Sequence, residues 1–172
     1  NERFGCCGFP LKSLRAEDTL VTAARNLAIA ESEGLEICAL CNACVGTLTE
    51  TAHTLDHDPE LKELVNARLE KVGLRYEGPV RVRHYMRLLW EEVGPEALQK
   101  AVVNPLSDVV LAPHYGCHYL KPSELTVGFD SPDMPSTLGK LIGALGARAV
   151  DYESLKDCCG GGLLGVSEET AN

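Results

Sequence analysis

The sequence predicts an α/β fold, a layered and mainly parallel sheet with flanking helices, arranged as two related halves over residues 1–104 and 105–172. Three observations carry that prediction. Short apolar runs alternate with segments of helical period, and glycine and proline fall at the joints between them. A Cys-Cys-Gly triplet also occurs twice, at Cys6-Cys7-Gly8 and at Cys158-Cys159-Gly160. With 172 residues, 45% of them hydrophobic, the chain is long enough to bury a core.

Ser13 is the expected cap of a helix running to about Ser32, with Leu20, Ala23, Ala24, Leu27 and Ala30 on one face and Gly34 as its stop. Residues 35–40 read as a short strand. Asp58-Pro59, a capping residue followed by proline in the first turn, starts a helix that carries Leu61, Leu64, Val65, Leu69 and Val72 inward and closes at Gly73. Residues 82–93 read as helix, burying Val82, Tyr85, Met86, Leu89 and Val93, until Gly94-Pro95 breaks it. A shorter helix follows from Pro95. Residues 108–112 read as a strand whose continuous apolar run, Val109 to Ala112, is of the kind found in strands covered on both faces. Leu138, Leu141, Ile142 and Leu145 mark a last helix, ended by Gly146, and residues 148–152 return as a strand.

Charge and composition exclude several roles. A net charge of −9 and a pI near 5.0 argue against a nucleic-acid surface, which needs clustered Lys and Arg. No apolar stretch approaches the roughly 20 residues that span a bilayer, and the amino end has no charged-then-apolar leader pattern.

Cysteine is the outlier, with eight in a chain that has only three Phe and one Trp. A disulfide framework suits shorter chains with poorer cores, which leaves metal or cluster ligation and scattered buried thiols. Seven of the cysteines fall where a common site could form, five of them beyond predicted strands, where open α/β folds gather ligands, and Cys6 and Cys7 just before the first helix. The seven are Cys6, Cys7, Cys41, Cys44, Cys117, Cys158 and Cys159, whereas Cys38 falls within a strand and reads as a buried thiol. The two-residue gap of Cys41-Asn42-Ala43-Cys44 lets one loop turn both sulfurs toward one metal, a spacing shared by zinc sites, iron–sulfur sites and redox pairs. Adjacent cysteines rarely bridge each other and crowd a single tetrahedral zinc, so Cys-Cys-Gly suits a centre with several metal atoms.

The triplets further read as an internal duplication. If each half follows one plan of lone cysteine, Cys-Cys-Gly and Cys-x-x-Cys, the first half lacks its lone cysteine and the second its Cys-x-x-Cys. These are expected before Asn1 and beyond Asn172.

This pattern resembles the CCG-domain family, and within it the B subunit of heterodisulfide reductases. The resemblance rests on Cys41-Asn42-Ala43-Cys44, on the run from His114 to Pro122 around Cys117, on Leu145-Gly146-Ala147, Val150-Asp151-Tyr152 and on Cys158-Cys159-Gly160-Gly161. It implies an enzyme component that reductively cleaves a disulfide of the coenzyme M–coenzyme B type at noncubane 4Fe–4S clusters, two in the intact protein. Cys6, Cys7, Cys41 and Cys44 would bind the first cluster, and Cys117, Cys158 and Cys159 the second. The disulfide would be split between the two centres. Zinc on Cys6 or Cys7 with Cys41 and Cys44 is the expected substitute in an incomplete form. The implied partners are the C- and A-type iron–sulfur and flavin subunits of such a complex, and the implied location is the reducing cytoplasm.

Two other classes stay open. One is an electron-transfer or structural module of another CCG-domain oxidoreductase, and the other is a plain zinc-stapled domain. His114 and His118 read as hydrogen-bonded loop residues, His84 as a helix residue, and His53 and His57 as exposed residues of the loop before the Asp58 helix start. Lys121, Glu91-Glu92 and Glu168-Glu169 read as solvated surface.

Overall fold

A computed structural model describes residues 2–126, 129–164 and 166–171. The architecture is α/β, and the chain divides into two compact units, Asn1–Arg83 with Cys159–Asn172, and His84–Cys158. Among the described residues no helix is long and apolar enough to cross a membrane.

The first unit is built on α1 (Ala16–Ser32), whose buried residues Ala23, Ala24, Leu27, Ala28 and Ala30 are mostly small. Small side chains let neighbouring helices approach closely, and α2 (Asn42–His57) and α3 (Pro59–Leu69) both pack on α1. Leu48, Ala52 and Leu55 of α2, Val65 and Leu69 of α3, and Tyr76 and Val80 of the return segment complete this core. The short strands β1 (Ile37–Ala39) and β2 (Val82–His84) pair as a two-stranded sheet.

Helix ends follow the sequence in part. The Asp58 carboxylate accepts the Leu61 N–H at 2.9 Å with Pro59 in the first turn, as expected. Gly34, at φ +65°, closes α1 through Leu35 N–H to Ala30 O at 2.9 Å and Gly34 N–H to Glu31 O at 2.9 Å. Ser13, however, is not the cap. Residues 11–15 form a separate turn, α1 starts at Ala16 after Arg15, and the Ser13 hydroxyl donates to Gly162 O at 3.4 Å.

The structure corrects other expectations. Helix α2 lies where the sequence reads as loop, because Gly46 and the threonines at 47, 49, 51 and 54 lower its intrinsic propensity. Tertiary burial of Leu48, Thr51, Ala52 and Leu55, spaced at helical period, stabilises it instead. Residues 82–84, expected to start a helix, pair as β2. Leu64 and Val72, expected inward, are exposed, since the inner face of α3 is centred on Val65 and Leu69. That face also buries Asn66, whose amide clamps Tyr76 by accepting its N–H at 2.9 Å and donating to its carbonyl at 3.0 Å.

The second unit begins with α4 (Tyr85–Leu88), which runs into a π-helical turn at Leu89–Val93 and then α5 (Pro95–Ala101). The strands β3 (Val110–Leu111) and β4 (Arg148–Ala149) pair in parallel, Val110 with Arg148 and Leu111 with Ala149, joined through α6 (Thr137–Ala144). They are shorter than the runs 108–112 and 148–152 predict. Val110 is 51% exposed rather than covered on both faces, because among the described residues this sheet has two strands. Tyr115, Tyr119, Leu120 and Phe129 form the aromatic core, with Met86, Trp90, Leu138 and Leu155 against it. The first turn of α6 is held by Asp130, whose carboxylate accepts the N–H of Ser136 at 3.1 Å and of Thr137 at 2.8 Å.

Candidate functional site

In the first unit, the Cys6-Cys7-Gly8 loop lies along α1. Gly8 has φ +87°, a conformation that favours glycine, and a Cβ there would stand 3.1 Å from Thr19 Cα and 3.2 Å from Thr19 O. The loop carbonyls and amides are taken up by α1 side chains. Asn26 Oδ1 accepts from Gly5 N–H at 3.0 Å, its Nδ2 donates to Gly5 O at 3.3 Å and Cys6 O at 3.1 Å, and the Thr19 hydroxyl donates to Gly8 O at 3.2 Å. Cys7 is buried at 4% exposure, whereas Cys6 is exposed and its Sγ accepts the Gly8 N–H at 3.4 Å.

Cys41 and Cys44 do not both lie in a loop. Cys41 is the N-cap residue of α2 and Cys44 sits in its first turn, so the start of a helix sets their spacing. The Cys44 thiol is half-buried and interacts with both Cys7 and Cys41. Its pKa is pushed up to about 12, first by burial, then by the hydrogen bond and charge of Cys7, and then by Cys41. Cys7, Cys38 and Cys44 line one cleft of about 370 Å³ together with Phe4, Asn26 and Glu36. Cys38 is thus exposed rather than a buried strand thiol, because alternation along β1 turns Ile37 inward and Cys38 out. Glu36 is engaged elsewhere, by Arg83 at 2.7 Å and Arg81 at 3.6 Å.

In the second unit Cys117 lies beyond β3 on a turn whose carbonyl at Cys117 accepts the N–H groups of Leu120 at 3.2 Å and Lys121 at 3.0 Å. Its thiol is raised above the ordinary cysteine value by burial and by neighbouring Cys158, while the N–H groups of His118 and Cys117 itself pull the other way. Cys158 is exposed. His114 Nδ1 lies 3.3 Å from the Tyr152 hydroxyl, and Tyr115 N–H donates to Leu155 O at 2.9 Å, which ties this loop to the segment after β4. Cys159, also exposed, falls in the first unit, where a Cβ on Gly161 would stand 3.3 Å from its Sγ.

The remaining histidines are placed as follows. His84 ends β2 and caps α4, with Nδ1 accepting the Met86 N–H at 3.1 Å, so it is not a mid-helix residue. His53 and His57 stack at 4.2 Å in the last turns of α2. Lys121 is exposed, as expected.

The structure therefore brings together Cys7, Cys41 and Cys44 in one unit, and Cys117 with Cys158 in the other. All eight cysteines are free thiols. Among the described residues no three His, Cys, Asp or Glu converge as a site for one metal ion. The donor chemistry nonetheless fits an iron–sulfur centre, because the grouped donors are soft sulfur and Glu36, the carboxylate lining the same cleft, is paired with Arg83 and Arg81. The residues missed from sequence are Asn26 and Thr19. Their signal is present, since both lie on the apolar stripe of α1 with Ala23 and Ala30, where a polar side chain calls for a partner.

Known proteins carry a similar sequence. The chain is 39% identical over 160 residues to the B subunit of a ferredoxin/F420H2-dependent CoB-CoM heterodisulfide reductase from Methanosarcina acetivorans, covering 91% of this chain and 52% of that protein. It is 35% identical over 159 residues to the B subunit of the ferredoxin:CoB-CoM heterodisulfide reductase from Methanosarcina mazei, with the same coverage of 91% and 52%. It is also 34% identical over 171 residues to the 8-methylmenaquinol:fumarate reductase membrane anchor subunit of Wolinella succinogenes, covering 99% of this chain and 58% of that protein. The chain thus spans about half the length of the curated relatives it matches. A solved structure of a hypothetical protein from Helicobacter pylori shares the fold, with a TM-score of 0.62 at 19% identity over 93% of this chain and 27% of that one. Residues 1–49 and 111–172, which hold both Cys-Cys-Gly loops and their partner thiols, match the CCG cysteine-rich domain, and the chain belongs to that family.

Proposed function

We propose that the chain is the cysteine-rich part of a heterodisulfide reductase-type subunit, which reduces a disulfide of the CoM-S-S-CoB kind in complex with iron–sulfur and flavin partner subunits in a reducing cytoplasm. In this reading Cys6, Cys7, Cys41 and Cys44 hold one 4Fe–4S centre in the half spanning 1–104. Cys117, Cys158 and Cys159 contribute to a second in the half spanning 105–172. The observation that carries it is the grouping of three thiols from two separate segments, with Cys44 interacting with both Cys7 and Cys41.

Bound clusters of this kind supply electrons and Lewis-acidic iron for cleaving a sulfur–sulfur bond. The protein's own residues prepare the place for them. Burial keeps the Cys44 thiol protonated at neutral pH, so ligation there releases a proton. Phe4, Ile37 and Leu48 wall the cleft with apolar surface, which lowers the local dielectric around the sulfurs. The N–H groups of His118 and Cys117 point charge-stabilising dipoles at the Cys117 sulfur.

A second reading, an electron-transfer module of another CCG-domain oxidoreductase, draws support from the similarity to the fumarate reductase component. Anaerobic iron, sulfide and zinc analysis of the full-length protein, with its visible spectrum, tests both. About eight iron and eight sulfide per chain, with disulfide-dependent reoxidation of the reduced protein, is the expected result. Iron and sulfide without any response to a disulfide favours the relay. Zinc with no sulfide overturns both.

A further inference from the structure

We propose that Asn26 is a positioning residue for the thiol site: its amide fixes the Cys6–Cys7 backbone and so aims Cys7 at Cys44. This rests on the reading of Cys7 as a ligand. Asn26 is 2% exposed on the packed face of α1, where an apolar residue would cost nothing in desolvation. Its carboxamide spends its capacity on the loop alone, accepting from Gly5 N–H at 3.0 Å and donating to Gly5 O at 3.3 Å and Cys6 O at 3.1 Å.

Two helical turns earlier, Thr19 holds Gly8 O at 3.2 Å from the same stripe of the helix. The carbonyls on either side of Cys7 are thereby pinned to one rigid element, and the thiol between them is buried against Cys44. A buried amide that only filled space would not need this pairing of each donor with the loop. The device works before any metal arrives, since every contact is made by the polypeptide itself. It also explains the glycine at position 8, because the backbone can approach α1 closely enough to reach Thr19 only without a Cβ.

The test uses the full chain, purified anaerobically and stripped of metal. The rate at which N-ethylmaleimide labels Cys7 is read by peptide mass spectrometry against Cys41 in the same molecules. Asn26→Asp keeps the size but turns two donors into acceptors facing Gly5 O and Cys6 O, and Asn26→Ser keeps one short donor. Loss of one to two net hydrogen bonds predicts labelling of Cys7 about tenfold faster in Asn26→Asp, with an intermediate rate in Asn26→Ser and native circular dichroism in both. Thr19→Val should loosen the loop, and Thr19→Ser, which keeps the hydroxyl, should restore protection. In the iron-loaded protein, Asn26→Ser should shift the electron paramagnetic resonance signature and midpoint potential at unchanged iron content.

Wild-type labelling rates in both Asn26 variants would overturn the proposal. Equal acceleration of all eight thiols would overturn it as well, by making Asn26 a general core residue. Failure of wild type to take up iron strikes the functional reading instead and leaves the labelling result to stand alone.

Discussion

Replacing Gly8 with alanine separates two costs that the Cys-Cys-Gly loop combines. The first is backbone strain: at φ +87° a residue with a Cβ loses about 1–2 kcal/mol. The second is steric. The new Cβ meets Thr19 Cα at 3.1 Å and Thr19 O at 3.2 Å, which are atoms of the α1 backbone and cannot rotate away like a flexible side chain. Forced overpacking of this kind costs about 1–3 kcal/mol. Gly34→Ala is the internal control, since Gly34 has φ +65° but nothing within 4 Å of the added carbon, so it bears the first cost alone. Urea unfolding of the full chain under reducing, anaerobic conditions should give a loss of about 2–5 kcal/mol for Gly8→Ala and about 1–2 kcal/mol for Gly34→Ala. Cys7 should also become reactive in the first variant and stay protected in the second. Equal losses in the two variants, at equal m-values, would mean that the loop does not rest on α1 as described.

The phenols of Tyr76 and Tyr119 are held above the ordinary tyrosine range, chiefly by burial, with the Asp56 charge adding to the effect at Tyr76. The folded state thus binds these protons more tightly than the unfolded chain, so stability is full below about pH 10 and falls as pH rises beyond it. Urea midpoints should hold to about pH 10 and drop between about pH 10 and about pH 12, less steeply in Tyr119→Phe, and a flat profile across that window contradicts this account. Asp58→Ala removes the acceptor for Leu61 N–H and should cost about 1 kcal/mol, with Asp58→Ser recovering most of it in the same unfolding assay. On metal loading, Cys44→Ser should lose iron while Cys38→Ser retains it, as measured by iron and sulfide content; the reverse ranking would exchange the roles assigned to these two thiols. Because the Cys44 thiol is raised to about 12, metal uptake should tighten as pH rises through neutrality, with proton release detectable in weak buffer.

Features governed by local chemistry were legible in the sequence. The Asp58-Pro59 start, the glycine stops at Gly34 and Gly73 and the helix around Leu138–Leu141 follow from capping and periodicity over a few residues. Helix α2 was not legible, because its threonines and Gly46 weaken local propensity and its stability comes from packing on α1. The strand at Val82–His84 was hidden for the converse reason: its residues fit a helical stripe, yet Ile37 N–H donates to Arg81 O at 2.9 Å and draws the chain alongside β1. The candidate site was legible as a set of residue types, since cysteine pairs at fixed spacing are a chemical signature. Its support was not, because nothing adjacent in sequence links Asn26 to Gly5 and Cys6.

The two cysteine loops are held by different chemistry, which bears on how each responds to change. In the first unit the anchors are polar side chains of one helix, Asn26 and Thr19, reaching main-chain groups on either side of Cys7. In the second the anchors are aromatic. Tyr115 and Tyr119 bracket Cys117 in sequence, are both nearly fully buried, and pack edge to face at 5.6 Å. The Tyr115 hydroxyl accepts the Leu138 N–H at 3.1 Å in the first turn of α6, so the loop bearing Cys117 and the helix joining β3 to β4 are fixed to each other. A polar clamp specifies position through a few directional bonds, and its loss frees one segment. An aromatic cluster specifies position through shape and burial, and its loss loosens the whole unit. The Cys-Cys-Gly loop of the first unit and the lone Cys117 of the second therefore sit on two mechanically distinct supports. On the functional reading proposed, the Cys7 site can be tuned by single polar substitutions, whereas the Cys117 site stands or falls with its core.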